Sequence, residues 1–111
     1  MSGTPPRMTQ TTQAVLRAML EDPTKHLYGL EICAATGLPS GTVHPILARF
    51  EGLGWLDSSW EQVDPREEGR PRRRYYRLNE HGMSMARTAL ARAYETRARI
   101  VTRLRPASEA S

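Results

Sequence analysis

The chain has 111 residues, 39% hydrophobic and 25% charged, a globular balance that is neither disordered nor membranous and predicts one domain with a small core. No run of about 18 apolar residues exists, which excludes a transmembrane helix, and the polar N-terminus lacks a signal-peptide core, so the expected location is the cytoplasm. The single cysteine, Cys33, excludes an internal disulfide and a multi-cysteine metal centre.

The formal net charge of +4 is unevenly spread. Residues 1–65 hold four Lys/Arg and seven Asp/Glu, residues 66–77 six Arg and two Glu, and residues 78–111 six Arg and three Glu. A concentrated positive charge and a sequence pI near 9.8 make a polyanion the first partner to consider. Fifteen of the sixteen basic residues are Arg, the side chain suited to bidentate contacts with phosphate and guanine, although a GC-rich genome produces the same bias.

Residues 1–8 read as a disordered arm. From Thr9, Val15, Leu16, Met19 and Leu20 fall at helical spacing, with Thr11 or Thr12 as the cap and Asp22-Pro23 as the stop. Residues 24–27 form a short connection. A second helix spans about Tyr28 to Ala35 and is stopped by Thr36-Gly37, and Leu38-Pro39 completes a turn of helix–turn–helix length. The third helix begins between Ser40 and Thr42, either of whose hydroxyls can cap it, and carries Val43, Ile46, Leu47, Phe50 and Leu53 on one face. Pro45 belongs near its first turn.

A strand is expected within Trp55–Val63, a polar loop over Asp64–Pro71, and a second strand over Arg72–Leu78, making a hairpin with a long tip. Asn79 caps a last helix. Along it Met83, Ala86, Leu90, Ala93, Arg97, Ile100 and Leu104 form a heptad seam interrupted by Arg97, and Pro106 ends it. The expected fold is therefore mostly α with a small β-hairpin: a winged helix–turn–helix over residues 9–79, a dimerisation helix over 80–105 and a tail over 106–111.

Four stretches carry a family resemblance: Tyr28-Gly29-Leu30-Glu31-Ile32, Gly41-Thr42-Val43-His44-Pro45-Ile46-Leu47, Gly54-Trp55-Leu56, and Gly69-Arg70-Pro71-Arg72-Arg73-Arg74-Tyr75-Tyr76-Arg77-Leu78. In this order and spacing they resemble PadR-family transcriptional regulators, in the small subgroup with one long C-terminal helix. The resemblance covers about residues 9–82. It implies a winged helix–turn–helix repressor, dimeric through the last helix and in many members released from DNA by a small molecule. His44 stands where the family usually has Tyr, and the effector-stacking Trp of the last helix has no counterpart.

The DNA contacts expected are Tyr28, Ser40, Gly41, Thr42, His44 and Arg49 from the helices and Arg70, Arg72, Arg73 and Arg74 from the wing. Each has a plainer reading: a cap for Ser40, Gly41 and Thr42, a solvated imidazole for His44, an ion pair for Arg49, a solvated face for the wing run and core packing for Tyr28. Trp55, Trp60, Tyr75 and Tyr76 read as strand residues packing on the helices, and Cys33 as a small buried hydrophobe, with a redox switch as its sharper reading. Tyr94, the only aromatic residue of the last helix, is the candidate lining of an effector cavity beside Ala86, Ala89 and Ala93.

His26, His44 and His81 are candidate bases, but no nucleophile elbow, metal spacing or Gly-rich phosphate loop accompanies them, so neither an enzyme nor a cofactor is expected. The expected partners are an inverted-repeat duplex, a second copy of the chain and a small-molecule effector. The alternative is a winged-helix protein-interaction module that binds no DNA; the basic wing argues against it.

Overall fold

A computed structural model describes residues 6–104; residues 1–5 of the expected arm and the expected tail over 106–111 lie outside the described residues. Helix α1 spans Gln10–Glu21. Its cap is Thr9, one turn earlier than Thr12: the Thr9 hydroxyl oxygen accepts the Thr12 N–H at 3.2 Å. Val15, Leu16 and Met19 are buried, as their spacing requires. Thr12 and Gln13 are buried as well, and the Gln13 amide donates to the Met8 carbonyl at 2.8 Å, drawing the preceding segment onto the helix.

Beyond Asp22 the chain forms a strand where a connection was expected: β1, Leu27–Tyr28. Two residues cannot show a period, so only pairing reveals it. Helix α2 spans Gly29–Thr36, with Glu31 Oε1 accepting the Tyr28 N–H at 3.1 Å. Gly37, at φ 75°, ends it in the left-handed region that glycine adopts without strain.

Helix α3 spans Ser40–Gly52. Neither Ser40 nor Thr42 caps it through a hydroxyl: the N-cap is Pro39, whose carbonyl accepts the Thr42 and Val43 N–H groups at 3.0 and 3.1 Å. Pro45 sits in the second turn rather than the first, so the Gly41 carbonyl, on an exposed residue, loses its intrahelical donor.

Strand β2 covers Leu56–Trp60 and β3 covers Arg74–Leu78. The sheet is three-stranded and antiparallel in the order β1-β3-β2, so the expected hairpin gains an edge strand. Leu56 faces Leu78, Trp60 faces Arg74, and Tyr28 faces Tyr75. The expected tip loop contains a single-turn helix, α4 (Pro65–Glu68), because the Asp64 carboxylate accepts the Arg66 N–H at 2.9 Å and Gly69 closes the turn.

The core joins α1, α2, α3, the inner face of the sheet and the start of α5, Glu80–Leu104. Phe50 packs on Trp55 with ring centroids 4.7 Å apart. Asn79 makes the junction: its Oδ1 accepts the Gly82 N–H at 2.7 Å, its amide donates to the Gly54 carbonyl at 2.8 Å, and its N–H donates to the Trp55 carbonyl at 3.0 Å. Gly82 permits the closest approach, since a Cβ there would lie 2.0 Å from the Trp55 carbonyl oxygen. The first turns of α5 are thereby docked, while every described side chain after Ala93 is exposed. The molecule measures 66 × 32 × 22 Å, lengthened by this projecting helix.

Candidate nucleic-acid interface

Helix α3 buries Val43, Ile46, Leu47 and Phe50 and exposes Ser40, Gly41, His44, Pro45, Ala48 and Arg49; Thr42 is half-buried. Glycine, alanine and proline on this outward face stand among its polar residues. The His44 imidazole lies over the start of α2: a Cβ on Gly29 would be 2.8 Å from His44 Cε1. Glycine at position 29 therefore leaves the space that His44 uses. Arg49 is exposed and forms no ion pair among the described residues, where a local pair was its plainer reading.

Tyr28 is half-buried and links the wing to α2. Its ring meets Tyr75 edge-on at 5.6 Å, and the Arg73 guanidinium stacks over it at 4.3 Å.

The four wing arginines differ in their surroundings. Arg70 is clamped by Glu61: Nη1 donates to Oε1 at 2.7 Å and Nη2 to Oε2 at 3.0 Å, and Glu68 stands 3.6 Å away. Arg74 is held by β2 and α3 together: its Nη2 donates to Ser58 Oγ on β2 at 2.7 Å and to Glu51 Oε2 on α3 at 3.2 Å, while Ser58 donates to the same Glu51 oxygen. Arg73 lies 4.0 Å from Glu61. Arg72 is exposed and meets no carboxylate among the described residues; its Nε donates to the Val63 carbonyl at 2.8 Å.

Glu61 and Glu51 organise this charge, and neither stands out in the sequence. The Glu61 carboxyl is pulled down to about 2, chiefly by the Arg70 hydrogen bonds against some desolvation, with help from the Arg73 N–H. Glu51 is held below the usual carboxylate range, first by the Ser58 hydroxyl and then by Arg74. In the sequence these acids lie 9 to 23 residues from the arginines they meet, so only the hairpin register pairs them.

Trp60 does not pack on the helices as expected of it: it is 54% exposed, with the Arg74 guanidinium 4.9 Å from its ring. Trp55 is buried, Tyr76 packs against the core, and Cys33 is a partly buried residue against that core.

Along α5, Ala86 is fully buried in the chain's own core, and Met83 and Leu90 pack against it. Arg97 and Ile100 are exposed and Ala93 is half-exposed; the Leu104 side chain lies outside the described residues. A groove of about 730 Å³ runs between the start of α1 and α5, with Met8, Gln13, Trp55, Met85, Ala89 and Ile100 among its walls. Ala93 and Arg97 line it, whereas Tyr94 is 72% exposed and lies outside it. Among the described residues no helix is long and apolar enough to cross a membrane, and no cluster of three or more His, Cys, Asp or Glu could hold a metal ion.

Helices α2 and α3 across a tight turn, the open outer face of α3 and a basic hairpin beside it define a winged helix–turn–helix. The profile of the transcriptional regulator PadR-like family matches residues 18–88, and the chain belongs to that family, whose members are transcriptional regulators rather than enzymes. The fold is similar to a PadR-family transcriptional regulator from Eggerthella lenta, at TM-score 0.67 and 20% identity over 81% of this chain and 80% of that one. It is also similar to the PcaV transcriptional regulator of Streptomyces coelicolor, solved with its natural ligand, at TM-score 0.66 and 23% identity over 93% and 67%. BpsR of Bordetella bronchiseptica, whose DNA binding is regulated by 6-hydroxynicotinic acid, matches at TM-score 0.64 and 18% identity over 93% and 72%. No curated protein sequence matches the chain.

Proposed function

We propose that the protein is a dimeric, sequence-specific DNA-binding repressor. The observation that carries this reading is the open face of α3, from Ser40 to Arg49, standing beside a wing whose Arg72 is exposed and unpaired among the described residues. In this reading α3 enters the major groove, with Thr42 and His44 near base edges. The N–H groups of Ser40 and Gly41 meet a phosphate at the helix N-terminus. Arg49, Arg72, Arg73 and the Tyr28 phenol follow the backbone, which positions the protein without reading sequence.

Dimerisation is assigned to the projecting half of α5. At 1.5 Å per residue the helix is about 37 Å long, and its projecting part, residues 94–104, is short enough to be marginal as an isolated helix in water. The exposed Ile100 and Val101, together with Ala93 and Arg97 of the heptad seam, are available to a second copy. The groove beside α1 offers apolar walls and the polar anchors Gln10, Gln13 and Arg92 to an effector, as the ligand-bound relative encourages.

A footprint on genomic fragments tests the reading. It should protect an inverted repeat with half-sites about one helical turn, roughly 34–36 Å, apart. Recovery of no protected palindrome would favour an interaction module instead.

A further inference from the structure

The wing holds its own counter-anion at its centre. The Glu61 carboxylate is only 13% exposed and bridges three groups: both nitrogens of the Arg70 fork and the backbone N–H of Arg73, which reaches Oε1 at 3.1 Å. The Glu61 N–H in turn donates to the Arg73 carbonyl at 2.8 Å, so residue 61 is pinned to the opposite strand by its backbone as well. Arg70 also donates to the Pro71 carbonyl at 3.2 Å, which fixes its guanidinium across the base of the tip.

A fork–fork arginine–carboxylate pair is among the strongest polar contacts a surface makes. Turning Arg70 toward a DNA phosphate would break both of its short bonds to Glu61. It would also leave a carboxylate facing the phosphate at close range, where like charges repel. Arg72, one residue beyond Pro71, meets no such obstacle.

We infer that Glu61 is a positioning residue that withholds Arg70 from DNA, so that it limits how many phosphates the wing contacts and thereby restrains sequence-independent binding. This rests on the DNA-binding reading above. Arg70 is then a structural partner, and the wing's phosphate contacts fall first to Arg72, since Arg73 lies over Tyr28 and 4.0 Å from the same carboxylate. The inference separates four arginines that look equivalent in the sequence.

The test is the salt dependence of binding to a random-sequence duplex, measured between 50 and 200 mM salt for the full chain. Glu61→Gln keeps the shape and an acceptor for the Arg73 N–H but removes the charge that holds Arg70. Its salt slope should steepen by about 0.9 per protomer, equivalent to roughly a threefold larger loss of affinity across that range for each freed arginine. Affinity at the low-salt end should rise, which loss of structure alone would not produce. Arg70→Gln should leave the wild-type slope unchanged, and Glu61→Gln with Arg70→Gln should return it to the wild-type value. An Arg70→Gln slope lower by about 0.9 would show that Arg70 already holds a phosphate and would overturn the inference, even if Glu61→Gln failed to fold. A Glu61→Gln slope equal to that of the wild type would overturn it too. Absence of any DNA binding by the wild-type chain would instead overturn the functional reading on which it stands.

Discussion

At the scale of single residues, two positions decide more than their sequence neighbourhoods indicate. Gly82 lets α5 lie against the backbone of Trp55, and a Cβ there would be 2.0 Å from a carbonyl oxygen that cannot swing aside. Gly82→Ala should cost about 3 kcal/mol, the upper end of ordinary overpacking, read as a lowered midpoint in urea unfolding. In the sequence Gly82 is simply an unfavourable residue near a helix start, and the requirement for it comes from the backbone of Trp55, just before β2. Glu61 is the second position. Its folded carboxyl titrates near 2 against an ordinary value of 4.5, so its contribution is fully present above pH 4.5 and is lost as pH falls toward 2. Glu61→Gln should therefore flatten the acid limb of stability between those values. Thermal melts at pH 5, 4 and 3 check this, and a mutant that loses stability with acid as steeply as the wild type would contradict it.

At the scale of elements, the proposed DNA-binding reading gives α3 and the wing different tasks. The helix presents an exposed face with His44 seated over Gly29, whereas the wing presents charge. His44→Ala should change the ranking of operator variants, costing about 1–3 kcal/mol at the base pairs it reads and little elsewhere. Arg72→Ala should weaken every duplex to the same degree and lower the salt slope by about 0.9 per protomer. Competition binding against a panel of single-base operator variants, at two salt concentrations, separates the two; identical effects would mean that helix and wing do not divide the labour. The helices and the strands β2 and β3 were legible because apolar residues recur at 3.6 or 2 over several turns or pleats. Strand β1 was not, since two residues carry no period. Nor was α4, whose single turn depends on the Asp64 side chain capping it.

At the scale of the whole molecule, α5 joins a docked half to a projecting half. The heptad seam in the sequence treats both alike, but Ala86 lies in the chain's own core and Leu90 packs against it. Charge is therefore best introduced further along, where no fold within the protomer depends on it. Ile100→Glu with Val101→Glu should give a folded monomer by sedimentation, with operator binding weakened by more than tenfold because each half-site would be held alone. A double mutant that remained dimeric would move the interface off the projecting half of α5 and off the groove that Ile100 and Val101 also line.

The sequence by itself determined the class of fold, the tight turn between the second and third helices and the basic run of the wing, because hydrophobic period, turn residues and charge runs are local properties. It also carried the four stretches that resemble the PadR family. The tertiary structure alone decided which cations are free: Arg70 and Arg74 meet Glu61 and Glu51 across the hairpin, while Arg72 does not meet an acid among the described residues. It likewise decided which half of the last helix remains open. Pairing across 9 to 23 residues depends on strand register and chain closure, and neither is encoded in the spacing of residues along a single element.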